Sequence, residues 1–417
     1  MKKHILQFSL FGIAKSAVLF APLIAASILL PDQYGLLEWA LSFAMMLGLL
    51  ASFGSGGLIS FEIIKHETST LSNTALLYSA ITTFIFGILG LLSILFENYI
   101  ALSYILSFSG VFVGQFALSA YIKAKGKGAY ASVVESLIYI LILILLIYAI
   151  FQQVQTLSLL SVFPLTAMLL SFILFTLISD SISFKPEDLT VFAKKGFPIM
   201  LSGFLAVGFV NLPRVLLGHF ESLESVAAFS LYFRWAAIAL VAYQFALVVN
   251  FRKIYTYSYE KLDRYIVYIS FMVFFIGACI IFGINLIENQ NISLSIAFPL
   301  QNITIQTLMA GTITLWAIGT SLEGLFYREH LSRLQTYASL SGIGIFLINI
   351  LILKFFIHDI IFIFTLSWFI SYSTIIFVQL YFLKKYLDIT FNRIFYFLLI
   401  FIFSLSFCLT FLRMAYT

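Results

Sequence analysis

The sequence predicts an all-α polytopic membrane protein. Two six-helix bundles are expected, related by a pseudo-twofold axis along the membrane normal, with an extra C-terminal helix and 12–13 spans in all. Three observations predict it. Hydrophobic residues make up 62% of the 417 residues and charged residues 10%, against roughly 45–50% and about 25% in soluble domains. The apolar residues gather into runs of spanning length, and Lys and Arg gather in every second connection. No aqueous core could bury so much apolar surface, so lipid must be the solvent. That excludes a soluble enzyme, a disordered chain and a disulfide-stapled secreted domain. Cys279 and Cys408 lie inside apolar runs far apart, which reads as two inert core thiols rather than a bridge or a metal site.

A spanning helix needs about 20 mostly apolar residues. That window gives segments 8–30, 36–63, 73–95, 100–122, 129–151, 157–179, 196–218, 225–250, 265–287, 304–327, 334–356, 360–383 and 394–412. Lys2, Lys3 and His4 precede the first as in a signal peptide. However, Lys15 splits that stretch and no small-residue cleavage site follows, so it reads as a span.

The connections test this count. Those on one side hold 18 of the 23 cationic residues: Lys2, Lys3, Lys65, Lys123, Lys125, Lys127, Lys185, Lys194, Lys195, Arg252, Lys253, Lys261, Arg264, Arg328, Arg333, Lys384, Lys385 and Arg393. The alternate connections, 31–35, 96–99, 152–156, 219–224, 288–303 and 357–359, hold none. The basic side is therefore expected to be cytoplasmic, with the N-terminus inside. All connections are short; the longest are 180–195, with Pro186, Glu187 and Asp188, and 288–303, with Pro299. Asn291-Ile292-Ser293 and Asn302-Ile303-Thr304 match the glycosylation acceptor pattern, which matters only in a eukaryotic secretory pathway.

The expected organisation is an N-terminal six-helix lobe over 1–180, a cytoplasmic linker over 181–195, a C-terminal six-helix lobe over 196–383 and an extra span in 384–417. A faint repeat crosses the seam. Gly12 and Pro22 stand ten apart in the first span, as Gly203 and Pro213 do in the seventh; Phe61 and Ile64 match Phe251 and Ile254. An even number of spans per half would make the repeat parallel, although coincidence in apolar sequence explains four identities equally well.

Catalytic and nucleotide motifs are absent. There is no G-x-x-x-x-G-K-[ST], no G-x-S-x-G and no His/Cys metal spacing; Lys125-Gly126-Lys127-Gly128 is a basic turn. His4, His66, His219, His330 and His358 sit near span ends, where solvated interfacial histidines are ordinary. What remains are ionisable residues inside spans, each costing on the order of 2.5–3.5 kcal/mol at the bilayer centre, so each normally faces a wet cavity or a partner.

Arg234 lies about nine residues into the eighth span, roughly 14 Å deep at about 1.5 Å per residue, beyond easy snorkelling. It shares a helical face with Ser230, Ala237, Val241 and Gln244. A cavity role is preferred to a structural ion pair. Lys15, on the face of Gly12 and Pro22, is balanced between cavity and snorkelling. Arg214, with Asn211 and Gly218, leans toward interfacial anchoring. Pro22 and Pro213 are expected to kink their spans and serve as hinges. Among the acids, Glu38, Glu135 and Glu323 are candidates for a coupling proton or cation, against a helix N-terminal charge for Glu38. Glu62 reads as interfacial, and the stripe Ser107, Gly110, Gly114, Ala117 as close helix packing.

Tyr34-Gly35-Leu36-Leu37-Glu38, followed by Gly54, Gly56 and Gly57 before Glu62 and Lys65, resembles the N-terminal signature of polysaccharide-export flippases. Gly196-Phe197-Pro198 and Arg214-Val215-Leu216-Leu217-Gly218 extend the resemblance. The family is the Wzx-type O-antigen and capsule repeat-unit flippases of the multidrug/oligosaccharidyl-lipid/polysaccharide exporter superfamily. Two features depart from it: Pro213 stands where members often carry an acid before the arginine, and members usually have 12 or 14 spans.

The resemblance implies movement of an undecaprenyl-diphosphate-linked oligosaccharide across a bacterial inner membrane, in lipopolysaccharide or capsule assembly. Arg234, Lys15, Arg214, Gln244, Asn211 and Ser230 would line the path. It implies no cofactor, a coupling proton or sodium ion, and a monomer that partners lipid-linked oligosaccharide, membrane lipids and other polysaccharide-assembly proteins rather than nucleic acid. A cation-coupled multidrug exporter of the same superfamily is the alternative. A glycan polymerase or ligase is disfavoured because the outer connections lack Lys and Arg, and a membrane scaffold fits Arg234 poorly.

Overall fold

The computed structural model describes residues 2–66, 70–94, 100–152, 162–178, 186–289, 302–329 and 331–416. Outside them lie the connection 96–99, most of 152–156 and 288–303, Asn291 to Ser293, Pro299, Lys185 and His330. Also outside are the side chains of Lys2, Lys3, His4, Lys65, His66, Arg252, Lys253 and Cys408. Among the described residues the chain forms 15 helices and no strand. Ten of them are long and apolar enough to cross a membrane, eleven if one bent pair counts as a single span.

The chain divides into two compact units, Met1–Ala227 and Ala228–Thr417. The first holds α1 (Lys2–Ile28), α2 (Pro31–Ser52), α3 (Ser55–His66), α4 (Thr70–Ile94), α5 (Ile100–Ala124), α6 (Gly128–Glu135), α7 (Leu137–Gln152), α8 (Val162–Thr176), α9 (Pro186–Phe220) and the start of α10 (Leu223–Thr256). The second holds the rest of α10, then α11 (Tyr259–Asn289), α12 (Ile303–Arg328), α13 (Ser332–Leu353), α14 (Ile360–Leu387) and α15 (Asn392–Tyr416). The division falls later than the seam expected at 181–195, because α9 packs along α2. Nor is all of 181–195 a linker. From Pro186 onward it is the opening of α9, with proline at the first position and Glu187 and Asp188 in a first turn whose exposed N–H groups favour acids.

Two expected spans are interrupted. Segment 36–63 breaks at Phe53 and Gly54, both in the left-handed region at φ 49° and 75°. Gly54 suits that conformation, and its α-carbon lies so close to α9 that a β-carbon would stand 2.4 Å from the Gly196 carbonyl oxygen. Segment 129–151 bends by 55° between α6 and α7 at Ser136. Segments 157–179 and 394–412 are helical over α8 and α15. By contrast, α1 and α9 run unbroken through Pro22 and Pro213.

In the first unit α5 is the central helix, packed by α2, α4 and α8. Its small-residue stripe is a packing face, with Gly110 against Ala167 of α8 and Phe86 of α4. In the second unit α12 is central, packed by α11, α14 and α15. Ends are closed by side chains: Asn302 Oδ1 accepts the Thr304 and Ile305 N–H groups opening α12, and Asp359 accepts the Phe362 N–H opening α14. Much of α11 faces outward, with Tyr268, Phe271, Phe275 and Phe282 exposed, as lipid solvation allows. Cys279 is exposed on the same helix, so it is not the core thiol its apolar surroundings suggested.

Candidate functional site

In the second unit α10 carries Arg234 into the protein. The residue is 8% exposed, and its guanidinium carbon stands 5.9 Å from the centroid of the Phe233 ring. Phe233 is itself held between Trp316 of α12 and Trp368 of α14, at 6.2 and 5.8 Å, and Trp368 continues to Tyr372 at 5.5 Å. This rigid aromatic stack fixes the turn of α10 that bears the arginine. Ser230, one turn earlier, is fully buried. Gln244, further along α10, is half-buried. Beside it Tyr243 shares a 3.0 Å hydrogen bond with Ser321 of α12, two residues from the half-buried Glu323. The structure thus gathers Arg234 and Ser230 on neighbouring turns of α10, and sets Gln244 and Glu323 near the Tyr243–Ser321 contact.

In the first unit Glu38 and Arg214 are partners. Arg214 Nε lies 3.7 Å from Glu38 Oε2, and the two side chains are 3% and 1% exposed. Tyr34 donates to Glu38 Oε1 at 3.3 Å, Arg214 donates to Asn211 Oδ1 at 3.3 Å, and the Trp39 indole donates to the Val215 carbonyl at 3.2 Å. Arg214 is therefore not an interfacial anchor, and Glu38, two turns inside α2, is not a helix N-terminal charge. The flat guanidinium fork reaches a carboxylate on the adjacent helix, which shortens its reach toward lipid headgroups. Glu62 is also buried rather than interfacial, 3.4 Å from Lys195 Nζ.

Lys15 is half-buried on α1, its ammonium 5.7 Å from the Phe11 ring. It lies within electrostatic reach of Glu135 and Lys123. Glu135, the last residue of α6, forms an ion pair with Lys123 at the end of α5. Its backbone carbonyl accepts from the buried Gln115 at 3.2 Å. Lys15 and Glu135, far apart in sequence, are brought within electrostatic reach by the packing of α1 on α6 and α7.

Three features lie beyond the expectations set out above. Asp263 of α11 accepts the Arg393 and Ile394 N–H groups at 3.0 and 2.9 Å, capping α15 from another helix. Gln379 of α14 donates to the Gly319 carbonyl at 3.2 Å and to Gln335 Oε1 at 2.7 Å, tying α12, α13 and α14. A small, mainly apolar cleft with room for about one water, lined by Tyr232, Trp235 and Gln306 among others, opens beside α10 and α11, and Arg234 is not in its lining. Buried glutamines in apolar runs were the only available signal for the second feature; the others depend on tertiary contact alone. Among the described residues no three His, Cys, Asp or Glu side chains group as metal ligands would.

No family model and no curated protein matches this sequence. Solved structures do share its fold. The lipid II flippase MurJ in an inward closed conformation is similar with a TM-score of 0.64 and 15% identity, covering 95% of this chain and 92% of that one. An inward-facing multidrug resistance MATE family transporter of the MOP superfamily is similar at 0.59 and 13%, covering 89% and 93%. The MATE multidrug transporter DinF-BH is similar at 0.57 and 16%, covering 91% and 93%. At such identities the likeness is one of fold.

Proposed function

We propose that this chain is a bacterial inner-membrane flippase. It would carry an undecaprenyl-diphosphate-linked oligosaccharide, an O-antigen or capsule repeat unit, to the outer leaflet by alternating access. The observation that carries the reading is a guanidinium, Arg234, buried deep in a helix of a fold shared with a lipid II flippase. A diphosphate and a glycan cannot cross hydrocarbon unaided, whereas a prenyl tail can stay in lipid. A planar guanidinium fork matches phosphate oxygens bidentately. The basic connections would face the cytoplasm, and Pro22 and Pro213 would lend flexibility to their helices.

A MATE-like multidrug exporter shares the fold equally well. Glu38 and Glu135 are each paired with a protein cation, which leaves Glu323, half-buried on α12, as the coupling carboxylate under either reading. The flippase is preferred for the buried guanidinium, which suits an anionic headgroup better than a cationic drug. With no nucleotide motif in the chain, a proton or sodium gradient, or removal of cargo outside, would supply the energy.

The test is Arg234→Ala in cells dependent on export. Membrane insertion should persist while lipid-linked oligosaccharide accumulates on the cytoplasmic leaflet, and Arg234→Lys should restore only part of the export. Normal export by Arg234→Ala would overturn the reading, and drug resistance conferred by the unmodified chain would favour the exporter.

A further inference from the structure

The Lys123–Glu135 pair has a geometry the proposed transport path does not use. It joins the last turn of α5 to the last residue of α6, immediately before the 55° bend. Both side chains are partly open to solvent, at 49% and 33%. Lys15 of α1 stands within electrostatic reach of the same carboxylate. Lys125 and Lys127 are exposed in the adjoining turn. Lys123 is thus bonded to the Glu135 carboxylate, with Lys15 in electrostatic reach of both and Lys125 and Lys127 exposed in the chain just beyond Lys123, at the end of the helices expected to be cytoplasmic.

An open ion pair is weak, because water screens it and two long side chains must be ordered to make it. A phosphate bearing up to two charges attracts the same lysines more strongly than one carboxylate does, and offers more acceptor oxygens. Glu135 therefore resembles an internal stand-in that holds Lys123 in place until a stronger anion arrives. Its backbone cannot follow its side chain away, since Gln115 donates to the Glu135 carbonyl from the buried face of α5. Exchange is thus confined to the side chain.

We propose that Lys123 and Lys15, with Lys125 and Lys127 beside them, form a docking site for the phosphate of a membrane-anchored lipid, from which the Glu135 carboxylate is displaced on binding. This rests on the lipid-diphosphate reading above and adds to it a first contact at the cytoplasmic leaflet, separate from Arg234.

The test uses the full chain in zwitterionic nanodiscs, titrated with undecaprenyl phosphate and followed by native mass spectrometry. Undecaprenol and inorganic phosphate serve as comparisons for tail and headgroup alone. Glu135→Gln should tighten undecaprenyl phosphate binding by about threefold, the size of an exposed ion pair. Lys123→Gln should weaken it by about as much, and Lys123→Arg should restore it, which separates lost charge from lost folding. Unchanged or weaker binding by Glu135→Gln, or unchanged binding by Lys123→Gln, overturns the proposal. So does equal binding of undecaprenol or of free inorganic phosphate. Failure of the unmodified chain to bind undecaprenyl phosphate also overturns the proposal, whereas normal export by Arg234→Ala would overturn the cargo reading on which it stands.

Discussion

Glu38 and Arg214, 176 residues apart, place opposite charges 3.7 Å from each other inside the first unit, where neither side chain is more than 3% exposed. The pair ties α2 to α9. Two such charges lose their water, and each is tolerated only because the other is there. Removing one should therefore cost far more than replacing both. Glu38→Ala is expected to destabilise the protein by about 3–5 kcal/mol, whereas Glu38→Leu with Arg214→Met should recover most of the loss. Thermal midpoints in detergent measure both, and equal losses for the single and the double variant would contradict this account.

Around this pair α2 approaches its neighbours too closely for side chains at two positions. A β-carbon on Gly35 would lie 1.8 Å from the Leu223 carbonyl oxygen at the start of α10, and one on Gly218 of α9 would lie 2.1 Å from Trp39 Cδ1. Gly35→Ala should prevent the native packing of α2, because the obstacle is backbone. Gly12→Ala, with nothing within 4 Å, should leave expression and thermal midpoint unchanged or slightly raised. Folded yield by fluorescence size exclusion distinguishes the two.

Asp263 closes the N-terminus of α15 by accepting two hydrogen bonds on its carboxylate. Asp263→Ala should cost about 1–3 kcal/mol and loosen the start of that helix, so limited proteolysis near 389–393 should quicken. Asp263→Asn, which keeps one acceptor, should fall between. Cleavage at the unmodified rate would show that the cap contributes little.

Gln379 is fully buried and donates to two acceptors on neighbouring helices. Gln379→Leu should cost about 1–3 kcal/mol, because the Gly319 carbonyl and the Gln335 amide lose their donor in a dry setting. Gln335→Leu combined with Gln379→Leu should cost less than the sum of the two single changes, read as non-additivity of thermal midpoints.

These outcomes separate what was legible in the sequence from what was not. Spans could be read because about 20 apolar residues in a row have few other solutions than a helix in lipid. Pro31 opening α2 and Pro186 with Glu187 and Asp188 opening α9 follow local rules, yet both stretches read as connections in the sequence, 31–35 and 180–195. The place of Arg234 far inside an apolar run is legible for the same reason as the spans. Its neighbours are not, since the ring stack around Phe233 draws on α12 and α14. Glu38 and Arg214 each stand out in the sequence, yet separately, one as a coupling acid or terminal charge and the other leaning toward an anchor. No periodicity links positions so distant, so only the docking of α9 on α2 could join them.

The length of α9 has one more consequence. Its 35 residues measure about 52 Å at about 1.5 Å each, while hydrocarbon is about 30 Å thick. Lying wholly within that layer would take a tilt of more than about 50°, well beyond the roughly 40° that membrane helices reach. About two turns or more must therefore lie outside the hydrocarbon, among headgroups or in water. Glu187, Asp188, Lys194 and Lys195 make the Pro186 end the natural one to emerge, and it offers antibodies or neighbouring proteins a handle that needs no passage through lipid.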